Sequence, residues 1–204
     1  GYRTVASTFS SGGNRNDGQN EGCGAGTLTA GLAFGGNRNP ALPNTGGLAT
    51  QTQSEEYNGS SWTEGGAMSQ GRATFGGLGT QTAALAFGGN PSPGVITELW
   101  NGSSWTAANA LNDERAQSAV AGISTAALCF GGSPPGYSAN TETWNGSSWT
   151  EQNNLAQARN GLGDAGSAVS ALASSGSNGS STFYTNTEEW TADAAACGTQ
   201  TSRQ

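Results

Sequence analysis

Lysine and histidine are absent from this 204-residue sequence, and all seven basic residues are arginine. The usual general base, the Schiff-base nucleophile and the commonest metal ligand are therefore missing. Charged residues make up only 10% of the chain, with a net charge of −7. No basic cluster is available to neutralise phosphates, which excludes the electrostatic footprint of a nucleic-acid binder. The basic or strongly apolar segments that hold a membrane surface are also missing. No apolar run approaches the roughly 20 residues of a membrane span, and no secretory leader is visible. A start at Gly1 reads as a processed, trimmed or partial chain.

Sulfur is scarce too, with one methionine and three cysteines. Cys129 sits inside the apolar run Ala126–Phe130 and reads as a small buried hydrophobe. Cys23 and Cys197 each neighbour glycine near opposite ends of the chain. The sequence leaves open a disulfide between them, which would imply an oxidising, extracellular setting.

Against these absences stand 34 glycines, many small polar residues, and six Trp, six Phe and four Tyr at recurring positions. The sequence Asn-Gly-Ser-Ser-Trp-Thr occurs three times, from Asn58, Asn101 and Asn145, at a period of 43 to 44 residues. Repetition at that period marks an array of one supersecondary unit. Disordered chains are usually charge-rich and aromatic-poor, so a folded chain of short strands is expected.

Each unit carries the same features in order. Arg72, Arg115 and Arg159 are each followed, fifteen positions on, by an apolar stretch ending in Phe-Gly-Gly or its remnant. Those endings are Phe87-Gly88-Gly89, Phe130-Gly131-Gly132 and Ser174-Ser175-Gly176, with Phe34-Gly35-Gly36 upstream. An aromatic follows a variable loop, at Tyr57, Trp100, Trp144 and Trp190. A second lies five residues on, at Trp62, Trp105 and Trp149. Met68, Leu111 and Leu155 then lead to the next arginine.

Ala83–Phe87 reads as a strand buried on both faces, ended by a diglycine turn that uses positive φ. Thr97–Trp100 alternates as a half-exposed strand should. Asn101-Gly102 predicts the two central residues of a type I′ hairpin, with Ser103–Thr106 returning. Four short strands per unit, without a helix, is the size of a propeller blade.

The diglycine, the aromatic, the following Trp and the next Arg together resemble the kelch-repeat family, over nearly the whole chain. The aromatic-to-Trp hairpin is shorter here than the usual kelch spacing. The resemblance implies an all-β, four-bladed kelch-like β-propeller in which these residues pack between blades or brace turns. A single domain over residues 1–204 would hold blades at about 3–62, 72–105, 115–149 and 159–200. The first blade, starting near Arg3, carries two insertions: one containing Cys23, the other around residues 40–52. The last lacks the Asn-Gly-Ser-Ser-Trp hairpin after Trp190. Residues Tyr2–Ala6 or 192–200 are candidates for the missing strand, because unpaired edges are a liability. Four blades is the lower limit for a propeller, so a segment of a larger ring is the alternative.

Candidate chemistry is sparse. Copper oxidase sites of kelch-type propellers rely on histidine and are excluded. Glu55-Glu56, Asp113-Glu114 and Glu188-Glu189 are adjacent carboxylates, but Glu56, Glu98, Glu142 and Glu189 read as solvated strand residues rather than a glycosidase pair. Asn14–Glu21 has calcium-loop composition without the spacing and reads as a polar surface loop. Asn58, Asn101, Asn145 and Asn178 head glycosylation sequons, the first three explained by the hairpin. The repeated Trp residues read as packing rather than sugar platforms, and Arg72, Arg115 and Arg159 as braces between units. Ligand recognition, if present, belongs to the irregular loops Gly12–Gly26, Asn37–Thr52, Pro91–Val95 and Pro134–Ser138.

The sequence therefore points to a non-enzymatic structural or adhesion module without cofactor or metal. Its composition resembles appendage and tail-fibre proteins of environmental phages and bacteria. The expected setting is an extracellular appendage, filament or virion surface, and the expected partners are its own copies or other appendage proteins. The alternative is a carbohydrate-binding propeller that recognises surface glycans.

Overall fold

The computed structural model describes residues 11–38, 49–133, 136–179 and 182–192. Seventeen strands and no helix occupy them. β1 (Cys23–Thr27), β2 (Ala30–Phe34), β5 (Ser54–Tyr57) and β6 (Trp62–Glu64) form the first sheet. β7 (Gly76–Gly79), β8 (Ala84–Phe87), β9 (Thr97–Trp100) and β10 (Trp105–Ala108) form the second. β11 (Ala119–Ile123), β12 (Ala126–Phe130), β13 (Thr141–Trp144) and β14 (Trp149–Gln152) form the third. The fourth has three strands, β15 (Gly163–Gly166), β16 (Ser170–Ser174) and β17 (Thr187–Thr191). β3 (Asn37–Arg38) and β4 (Ala49–Thr50) pair separately. Every pairing is antiparallel, and strands follow one another across each sheet.

The first strands contact in series, β1 to β7, β7 to β11 and β11 to β15. Between successive sheets, one large-residue face meets one small-residue face. Leu32 and Phe34 pack on Ala84 and Ala86. Leu85 and Phe87 pack on Ala127 and Cys129, and Leu128 and Phe130 on Ala171 and Ala173. Strand alternation places Leu/Phe on one face and Ala/Cys on the other, so β8 and β12, which have a sheet on each side, are buried from both faces. Burial of each such Leu or Phe stabilises the array by roughly 1.5–3 kcal/mol. A diglycine closes the second strand of the first three sheets where no side chain fits: Gly88 has φ +69°, and a Cβ there would lie 2.6 Å from the Arg115 carbonyl oxygen.

Three sequence expectations are corrected. The segment around Cys23 is no insertion. It is β1, equivalent to β7, β11 and β15. Thr97–Trp100 is not half exposed; Thr97, Glu98 and Trp100 are buried, because neighbouring sheets cover both faces. The hairpin turn is also shifted. Trp100 pairs directly with Trp105, leaving Asn101–Ser104 as a four-residue loop. Only Gly102 in it has positive φ, +94°. Asn101 instead accepts through Oδ1 from the backbone N–H of Ser103 and Ser104, at 3.0 and 2.9 Å. That side chain satisfies the loop's donors, so a type I′ geometry is not needed. Asn58 and Asn145 do the same.

Candidate functional site at the unfinished fourth sheet

Two devices recur, one tying each sheet to the connector that enters it and the other tying each sheet to the one before it. The first is a buried ion pair. Arg72 of the β6–β7 connector donates through Nη1 to the Ile96 carbonyl at 2.8 Å and through Nη2 to Glu98. Arg115 does so to Asn140 (2.8 Å) and Glu142. Arg159 reaches Ser175 and Asn186, and Glu188 at 2.7 Å. The backbone N–H three residues before each arginine also donates to the same carboxylate: Ser69, Asn112 and Ala156, at 2.8, 2.9 and 2.8 Å. Each carboxylate is thus matched by a cation and a backbone donor, the condition under which a buried charge is tolerated. Burial pulls the Arg72 guanidinium down to about 10, still protonated at neutral pH.

Glu98 and Glu142 are therefore not solvated strand residues; they are buried partners of the arginines. The equivalents in the first and last sheets are Glu55 and Glu188, two positions before the aromatic, rather than Glu56 and Glu189. Aligning the acidic residue two places before each aromatic with the preceding arginine would have revealed these pairs.

The first sheet keeps the device with altered residues. Asn16 donates to Glu55 Oε2 through its backbone N–H (2.8 Å) and Nδ2 (3.0 Å), as Asn112 does to Glu142. Three residues on, Gln19 stands where the arginines stand. The next residue confirms this register: Asn20 bridges Asn37 as Ala73 bridges Asn90 and Ala116 bridges Ser133. Glu21, Thr74 and Gln117 then share positive φ near 55°. Arg15, in the place of Met68 and Leu111, supplies the cation to Glu55 at 3.0 Å. The loop Asn14–Glu21, read as a polar surface loop of calcium-like composition, is thus the connector that enters the first sheet. Arg3 lies outside the described residues.

The second device is a tryptophan lock. Trp105 donates its indole N–H back to Ser54 Oγ of the preceding sheet at 2.8 Å, with its ring 5.0 Å from Phe34 and 5.4 Å from Trp100. Trp149 repeats this on Thr97 Oγ1 (3.0 Å), Phe87 (4.6 Å) and Trp144 (5.4 Å). The first aromatics close the inner hairpins, Trp100 on the Gln81 carbonyl, Trp144 on Ser124 and Trp190 on Ala168. Tyr57 and Trp62 pair at 5.0 Å, and Trp62 donates to the Gly13 carbonyl at 3.1 Å. Gly35, Gly36, Gly131 and Gly132 hold the same turn as Gly88 and Gly89. The second glycine of each pair donates to the next arginine's carbonyl, at 2.7, 2.9 and 2.8 Å.

Among the described residues the fourth sheet has no β14 equivalent and so no locking tryptophan. Where one would lie is a cleft lined by Phe130, Thr141, Leu155, Leu172 and Trp190. It opens to solvent. Phe130 corresponds to Phe87, Thr141 to Thr97 and Trp190 to Trp144. The cleft is the lock site of the missing strand. A second groove, lined by Asn153, Val169 and Thr191, runs beside it between the third and fourth sheets.

Cys23 is a free thiol donating to the Phe75 carbonyl at 3.2 Å, pushed up to about 12 by burial. Cys197 lies outside the described residues. Cys129 is buried and free. Asn58, Asn101 and Asn145 are exposed, whereas Asn178 is half-buried and donates its backbone N–H to Thr182. Among the described residues, no group of three or more His, Cys, Asp and Glu is arranged to hold a metal. No helix among them is long and apolar enough to cross a membrane.

These elements define an all-β repeat protein built from antiparallel sheets in series. No family model matches the chain, and no curated protein matches it.

Proposed function

We propose that the protein is a non-enzymatic structural module that works by self-association. The four sheets are read as blades of a kelch-like β-propeller whose last blade lacks its outer strand. The observation that carries this reading is the unfinished fourth sheet: among the described residues no strand pairs with the outer edge of β17 and no tryptophan fills its lock cleft, the arrangement that invites strand addition. The carboxylates in registered positions are committed to ion pairs with the connectors that enter their sheets, which argues against an acid–base role. Trp100, Trp144 and Trp149 are buried in packing, which argues against a row of sugar platforms. Low charge and abundant small polar residues support a place in an extracellular appendage, filament or virion.

Electron microscopy of the purified chain over a concentration series tests this. Ordered assemblies are expected. A dispersed monomer that binds on a glycan array would replace the reading with the carbohydrate-binding one.

A further inference from the structure

We infer that the lock cleft of the fourth sheet receives residues 7–10 of a second copy, with Phe9 in the tryptophan position. This rests on the self-association reading and names its contact.

The register comes from the first sheet's connector. Gln19 occupies the arginine position, as the bridge at Asn20, the positive φ at Glu21 and the Asn16–Glu55 bonds show. In the other units, the locking tryptophan lies ten residues before the arginine: Trp62, Trp105 and Trp149 before Arg72, Arg115 and Arg159. Ten before Gln19 is Phe9. Ser7-Thr8-Phe9-Ser10 then aligns with Ser60-Ser61-Trp62-Thr63, and Gly12-Gly13 falls on Gly65-Gly66. Structure supports the alignment at Gly13. An added Cβ there would sit 2.2 Å from the Ser60 carbonyl oxygen, and one on Gly66 2.5 Å from that of Ser103. Asn109, four past its tryptophan like Gly13, donates to the equivalent Ser147 carbonyl at 2.8 Å. Residues 11–19 thus sit on the first sheet as the connector that follows a fourth strand.

The cleft suits this strand. Phe130 and Trp190 offer the two aromatic surfaces that Trp149 finds in Phe87 and Trp144. Phenylalanine has no indole N–H, so the contact would rest on ring packing alone and Thr141 would lack the donor that Thr97 receives from Trp149. Asn153, equivalent to Asn109, lines the adjoining groove at the place where the Ser7 carbonyl would arrive.

The donor must be another copy. Four residues separate Phe9 from Gly13, a reach of at most about 14 Å, so the accepting sheet must stand beside the donor's first sheet. The chain's own fourth sheet does not stand there. All four residues of β15 are exposed. Leu172 is 43% exposed, whereas its equivalents Leu32, Leu85 and Leu128 are 2, 0 and 0% exposed between sheets. Trp62 donates to Gly13 and not to Thr187, the hydroxyl that the lock would use if the fourth sheet preceded the first. Docking of a second copy's strand would bring its first sheet onto this exposed face. The contact is head-to-tail, and it gives a closed ring or an open filament according to the rotation per copy.

By the Trp144–Trp149 register, Ser10 would lie opposite Glu189. The test mixes chains carrying Ser10→Cys with chains carrying Glu189→Cys, oxidises them and resolves them on non-reducing gels, with the unmodified chain and each variant alone as controls. A disulfide-linked two-chain product found only in the mixture is the expected result. Light scattering of Phe9→Glu should show loss of the assembled species at concentrations where the unmodified chain is assembled, while Phe9→Trp keeps it. If the double variant Ser10→Cys/Glu189→Cys links within a single-chain mass and the mixture gives no two-chain product, closure within one chain overturns the inference. Absence of any link overturns the choice of strand. Assemblies that persist in Phe9→Glu would leave self-association standing and remove this contact. A monomeric unmodified chain would remove both.

Discussion

Trp149 donates its indole N–H to Thr97 Oγ1 at 3.0 Å, across the boundary between the second and third sheets and 52 positions apart in sequence. The bond is buried, and it fixes the order in which sheets stack, since each tryptophan reaches back to the preceding unit. Thr97→Val should strand that N–H and cost about 1–3 kcal/mol. Thr97→Ser should cost less, because Ser54 serves the same role for Trp105. Urea unfolding of the two variants checks this; equal stability would show that the bond contributes nothing.

Arg115 and Glu142 are both fully buried, and Glu142 also holds Asn112. Glu142→Ala should destabilise by about 3–5 kcal/mol, the usual cost of leaving a buried partner charge uncompensated. Arg115→Met combined with Glu142→Leu should recover part of that loss. Thermal unfolding of the single and double variants gives the comparison, and an additive double variant would contradict the pairing.

Asn101 caps its own hairpin loop through one acceptor atom. Asn101→Asp retains an acceptor and should leave stability nearly unchanged, whereas Asn101→Ala should cost about 1 kcal/mol. Denaturant midpoints of the pair decide it. The reverse order would return the turn to backbone preference alone.

Cys23 has a thiol raised from 9.0 to about 12 by burial. The folded state therefore holds its proton where the unfolded chain has released it. Its contribution is present in full below pH 9 and is lost as pH rises from about 9 to 12. Cys23→Ala should flatten the alkaline fall in stability over that window. At pH 8 the native thiol should react slowly with a thiolate-selective reagent. Rapid labelling of folded protein would contradict this.

The repeat made much of the fold legible. Strand-sized apolar runs, diglycine turns and paired aromatics announce an all-β array, because each follows from short-range sterics and side-chain alternation. The glutamates misled for a physical reason. In Thr-Glu-Leu-Trp the glutamate suggests a wet face, but the preceding sheet covers that face and an arginine from the preceding connector neutralises the charge. The first unit misled because its connector exchanges roles: Arg15 replaces an apolar residue and Gln19 replaces the arginine. Neither substitution is recognisable until the bridge at Asn20 and the bonds of Asn16 set the register.

Residue order and local turn chemistry are enough to set the unit, its period and the lack of an Asn-Gly-Ser-Ser-Trp hairpin after Trp190. Tertiary structure alone decided what that lack means. Only the stacking of sheets shows that the missing tryptophan leaves a cleft between Phe130, Thr141 and Trp190, and that Leu172 stands uncovered. The reason is that a lock joining two sheets is made from residues a full repeat apart, brought together by packing rather than by proximity along the chain.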